Sequence, residues 1–136
     1  MNRNQLAAWL GEATCALADW RGGEGAWRRR DLGRLAVAAE SAGLACIGGQ
    51  PQIRLNDATF ELYWCDYDPT PRRFGEPWIA YASRSWKEQL FLAEGLPDDE
   101  DLIADARARF EELADLPDTE LAAGLWFVVY PEAEPD

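Results

Sequence analysis

The chain has 136 residues, enough for one domain with its own core. Its 48% hydrophobic content excludes a disordered polymer, and no apolar run reaches the about eighteen residues of a membrane span. The net charge of −12 makes a nucleic-acid partner unfavourable, because a phosphate backbone is repelled by it.

The first segment, "MNRNQLAAWLGEATCALADW", lacks the basic start and continuous apolar stretch of a secretory signal, so a cytoplasmic protein is expected. Leu6, Trp9, Leu10, Ala13, Leu17 and Trp20 recur at three- and four-residue steps. This spacing predicts one helix ending near "RGGEG". A second helix is predicted from about Asp31 to Ala42, with Leu32, Leu35, Ala36 and Ala39 inward and Gly43 after its end.

Strand character follows at Leu44–Ile47 and Gln52–Leu55, either as two strands or as one bent at Gly48-Gly49. Asn56 and Asp57 supply a turn. "FELYWCDYDP" then reads as the return strand of a hairpin, with Phe60, Leu62 and Trp64 on one face and Glu61, Tyr63, Cys65 and Tyr67 on the other. Apolar side chains on both faces suggest a central strand. Pro69, Pro71 and Pro77 end it in a loop.

A third helix is predicted from Pro77 to about Gly95, carrying Trp78, Ala82, Trp86, Leu90 and Ala93. A fourth starts at "PDDED", capped by Asp98 or Asp99, with Leu102, Ala106, Phe110 and Leu113 as its apolar stripe. "LPDTELAAG" connects it, with room for one helical turn, to a strand at Leu125–Tyr130. The resulting order is α-α-β-β-α-α-β: a single α+β domain, an antiparallel sheet of three to four strands packed by about four helices.

Histidine is absent, which removes the commonest base near neutral pH and the commonest metal ligand. Cys15, Cys46 and Cys65 are widely spaced and odd in number, which argues against a disulfide framework or a zinc site and for buried free thiols. No P-loop precedes the single lysine, Lys87, and "GEGAWRRRDLG" lacks the preceding strand of a dinucleotide fingerprint. No metal or cofactor is expected. Carboxylate chemistry survives: Glu61, Asp66, Asp68 and Glu76 flank the strand end, as either solvated rim residues or a hydrolase pair. Trp64 and Tyr67 beside those acids are also a candidate cage for a cation or sugar.

The charge itself is uneven. Through Ala93 eleven basic and eleven acidic residues cancel, whereas from Glu94 onward fourteen acids face two arginines. Such a surface attracts and steers a basic protein. The candidate partner-binding residues are therefore Asp98, Asp99, Glu100, Asp101, Asp105, Glu111 and Glu112. Trp27, beside Arg28, Arg29 and Arg30, is the candidate aromatic anchor. In size, charge and lack of catalytic residues the chain is similar to the immunity proteins with which bacteria neutralise their own toxins. The resemblance aligns no stretch and carries over no residue. It implies a non-enzymatic binder of a basic toxin domain, set against the alternatives of a carboxylate hydrolase and a small-ligand module.

Overall fold

The computed structural model describes residues 1–136. Helix α1, Arg3–Leu10, begins in a capping box: Asn2 Oδ1 accepts from the Gln5 amide and Gln5 Oε1 accepts from the Asn2 amide, both at 2.9 Å. After Gly11 a five-residue helix, α2, spans Glu12–Ala16. The expected single helix through Trp20 is not formed. Strands β1, Asp19–Arg21, and β2, Glu24–Trp27, make a hairpin there instead. Gly22 and Gly23, at φ 57° and 80°, supply its turn. The indoles of Trp20 and Trp27 donate to the carbonyls of Cys15 and Thr14, each at 3.0 Å, adding a second donor to carbonyls that also accept from the Ala18 and Leu17 amides.

Helix α3, Leu32–Ser41, leads to the ten-residue strand β3, Ala45–Arg54. This is the single bent strand: its register with its neighbour shifts between Cys46 and Gly49. Gly48 sits at φ 150°, and a Cβ on Gly49 would lie 2.0 Å from the Val128 carbonyl oxygen. The return strand β4 is only Thr59–Glu61. It lies at the edge of the sheet, not at its centre. At Leu62 the backbone leaves the extended region (φ −86°, ψ 62°) and Tyr63–Cys65 form a 3-10 turn, so the two-face alternation predicted for Trp64 and Tyr67 does not apply.

Helix α4, Trp78–Glu94, follows the predicted periodicity, whereas helix α5, Asp99–Arg109, keeps Leu102 and Ala106 inward but stops at Phe110, where the backbone is extended (φ −117°, ψ 107°), so Leu113 falls in a separate 3-10 turn. The connection holds a six-residue helix α6, Asp118–Ala123, before β5, Leu125–Glu132. The fold is α+β with five antiparallel strands in the order β1-β2-β5-β3-β4, so the last strand enters between the two hairpins. The extra strands are the β1–β2 hairpin, and α2 and α6 raise the helix count to six.

One face of the sheet, with Trp27, Ile53, Leu125, Phe127 and Val129, packs with Leu35, Trp86 and Leu102 from the helices in a core of 24 buried residues. Trp9, expected inward, is 46% exposed. The opposite face is polar, carrying Asp19, Arg21, Glu24, Gln52 and Arg54. It is concave, because the sheet curls until its two edge strands meet: Arg21 Nη1 donates to Ala58 O and Thr59 Oγ1, both at 3.1 Å. No helix is long and apolar enough to cross a membrane.

Candidate protein-binding surface

The acidic face is built on the start of α5. Asp98 is its N-cap and accepts from the Asp101 amide at 3.0 Å. Asp99, Glu100 and Asp101 fill the first turn, where the helix dipole favours negative charge. Leu102, Ile103 and Ala106 face the core, which leaves Asp98, Asp99, Glu100 and Asp101 exposed on the other side. Arg29 Nε approaches Asp99 Oδ1 at 3.1 Å, yet the aspartate side chain stays 59% exposed. Arg107 ties α5 to the connection by donating to Leu116 O and Asp118 Oδ1, each at 2.6 Å. Between α5 and α6 runs a groove of about 530 Å³, lined by Glu100, Asp101, Arg107 and Asp118 together with Ile103 and Ala122.

Not every predicted acid joins this face. Asp105 Oδ2 accepts from the Trp64 indole at 2.9 Å and is half-buried. Glu111 and Glu112 lie exposed on the 3-10 turn after α5. Trp27 is no surface anchor: it is fully buried, edge-on to Trp20 with ring centroids 5.8 Å apart. The hairpin carries it inward, a path that the neighbouring arginines disguised in the sequence.

The alternative site does not converge. Tyr67 is fully buried, stacks on Phe127 at 6.4 Å and donates to Val128 O at 2.6 Å. Trp64 instead packs on Phe110 at 5.8 Å under the Arg109 guanidinium at 4.2 Å. The two rings therefore form no cage. Glu61 and Asp66 are exposed, and Asp68 accepts from the Gly49 amide at 3.0 Å, holding the loop to the bulge. Glu76 accepts two hydrogen bonds from Arg84, both at 2.8 Å, and one from the Arg73 amide at 3.0 Å. These donors pull its carboxyl down to about 2, away from the raised value a general acid needs. Nowhere do three or more Cys, Asp or Glu side chains gather to hold a metal ion.

The concave polar face went unrecognised in the sequence. Its signal is the alternation Gln50, Gln52, Arg54 within "GQPQIRL", polar at every second position of a strand whose other positions are apolar. Arg54 is 4% exposed and each guanidinium nitrogen is engaged: Nε donates to Gln52 at 3.0 Å, Nη1 to the Asp19 carbonyl at 2.9 Å and its carboxylate at 3.0 Å, and Nη2 lies 3.5 Å from Glu24 O. A guanidinium engaged at all three nitrogens is a clasp for the curled sheet.

Comparison with protein-family models, curated proteins and solved structures gives no match. The reading of function therefore rests on geometry and charge.

Proposed function

We propose that this chain is a non-catalytic binding domain that presents the α5–α6 face to a basic protein, in the manner of an immunity protein neutralising a toxin domain. The observation that carries the reading is the arrangement around the groove. Exposed Glu100, Asp101 and Asp118 line it together with the apolar Ile103 and Ala122, and Arg107 is its one cation. A charged rim steers encounter, and an apolar centre holds what has docked. Internal cations engage only part of the acidic face, through Arg29–Asp99 and Arg107–Asp118. Glu100 and Asp101 keep their charge available to a partner's lysines and arginines.

The hydrolase candidates do not converge, since Glu61 and Asp66 are exposed, Asp68 is held by the Gly49 amide and Glu76 by Arg84, and the cage alternative has lost its second ring. The experiment that tests the reading is photo-crosslinking from Glu100 and Thr119, on opposite sides of the groove, in cells. Adducts to one basic protein are expected from both positions. If a single partner is captured only from the far surface, for example from Val37 on α3, the reading fails.

A further inference from the structure

A second concavity lies where β2 and β5 part. The two strands pair only at Ala26↔Val128 and Trp27↔Phe127. Continuing that register would pair Gly25 with Val129 and Glu24 with Tyr130, but the strands splay there and leave a slot of about 270 Å³. Leu6, Trp20, Ile47 and Val129 give it apolar walls, and Glu24 and Tyr130 give it a polar end. Gly25 is required by this shape, since a Cβ would come within 2.9 Å of the rings of both Trp20 and Trp27.

The chemistry of the lining selects a ligand class. Neither lysine nor arginine lines the slot, and Glu24 and Glu132 stand there against the one α-amino group of Met1, so the balance of charge is negative and disfavours an anion. Oε1 of Glu24 is engaged from within, by Gln52 Nε2 at 3.2 Å and by Arg54 Nη2 at 3.7 Å. The volume is below the roughly 300–1,000 Å³ of pockets for drug-sized molecules, which excludes a nucleotide or an oligosaccharide. What fits is a short apolar stem with a cationic head, the head near carboxylate and phenol, the stem against Leu6, Ile47 and Val129. The Trp20 ring is an aromatic surface that already draws a cation, the Arg3 guanidinium 6.0 Å from its centroid.

We propose that the slot between β2 and β5 binds an alkylammonium or alkylguanidinium group, either as a small free amine or as the side chain of a lysine or arginine. The proposal does not rest on the α5–α6 face, which uses other residues.

The test titrates the purified chain with n-butylguanidinium chloride, with n-butanol as the uncharged control, and follows backbone amide shifts by NMR. A dissociation constant on the order of millimolar is expected for so small a ligand. The largest shifts are expected at Gly23, Gly25 and Tyr130 and at the Trp20 indole. Glu24→Gln should weaken binding at least tenfold. Because that change also touches Arg54, Ile47→Trp serves as a second variant: Ile47 is 48% exposed, so a larger side chain fills the mouth without entering the core. It should abolish the shifts. A third arm uses a blocked Gly-Arg-Gly tripeptide. Equal binding of peptide and free cation identifies a protein side chain as the ligand, and binding of the free cation alone identifies a diffusible amine; either supports the proposal. Equal response to n-butanol, shifts that persist in Ile47→Trp, or shifts confined to α5 overturn it. Asp99→Lys combined with Asp101→Lys should leave the slot's affinity unchanged, which keeps this result separate from that of the acidic face.

Discussion

Arg54 and Asp19 lie 35 residues apart, and they close the sheet on itself: Arg54 Nη1 is 3.0 Å from Asp19 Oδ2. The arginine side chain is 1% exposed and the aspartate 34%, so the pair sits at the boundary between the interior and water. Asp19 also lies 3.5 Å from Arg21 Nε, and Arg21 in turn reaches Thr59 on the opposite edge strand. A chain of side chains thus spans from one edge of the sheet to the other.

Removing one partner of a buried ion pair typically costs about 3–5 kcal/mol, because the other charge is left uncompensated. Asp19 and Glu24 are one-third exposed and can recover some hydration. Arg54→Leu should therefore lower the unfolding free energy by about 2–3 kcal/mol in urea denaturation, and Asp19→Asn by about 1 kcal/mol. The double variant should cost less than the sum, since both changes remove the same contact. Strict additivity would show that the two residues do not act on one another.

The Glu76–Arg84 pair gives stability a defined pH dependence. Arg84 hydrogen bonds, with help from the Arg73 amide, bring the folded Glu76 carboxyl from the ordinary 4.5 down to about 2. The folded value lies below the unfolded one, so the pair stabilises fully above pH 4.5 and its contribution disappears as the pH falls to about 2. Glu76→Gln should be less stable at neutral pH and should show a shallower loss across that acidic window. Parallel acid-unfolding curves for the two proteins would contradict this.

Gly49 is where the Tyr67 loop, β3 and β5 meet most closely. A methyl group there would lie 2.0 Å from Val128 O and 2.5 Å from the Tyr67 ring. Val128 O is also the acceptor of the Tyr67 hydroxyl, whose proton is held more tightly because burial raises its pKa. Gly49→Ala should cost about 2–4 kcal/mol, in the range of overpacking with a lost buried hydrogen bond. Tyr67→Phe should cost about 1–2 kcal/mol, by leaving that carbonyl unpaired. Thermal unfolding of each variant checks the ordering.

Cys15, Cys46 and Cys65 are all free and buried. Burial pushes the Cys46 thiol up to about 12, and burial raises the other two as well. The thiolate is the reactive form, so the native protein should resist a disulfide-exchange reagent at pH 7 and react at all three sites only when unfolded. Rapid labelling of any of them in the native state would contradict the packing of α2, β3 or the Tyr63–Cys65 turn.

The elements that were legible from sequence are those whose signals are local. The four-residue spacing of Trp78, Ala82 and Trp86 marked α4, the Asp98 cap marked the start of α5, and Gly48-Gly49 marked the bend in β3. The β1–β2 hairpin was obscured because its strands are three and four residues long, too short for alternation to register, and Trp20 happens to fall in phase with the preceding helix. The acidic patch could be read because its residues are contiguous. The clasp at Arg54 and the slot beside Glu24 could not, because each joins segments that only the closed sheet brings together. Trp27 shows the same limit: its burial is decided by Thr14 and Trp20, not by the arginines that follow it.

Charge reversal at Asp99 and Asp101 addresses the central claim most directly. Once crosslinking supplies the basic partner, its association with the wild-type chain and with Asp99→Lys combined with Asp101→Lys is followed by stopped flow from low to physiological salt. Steered encounter predicts an on-rate that falls steeply with salt for the wild type, and a variant about tenfold slower at low salt with a flatter dependence. On-rates that are equal for the two proteins and indifferent to salt would contradict the account.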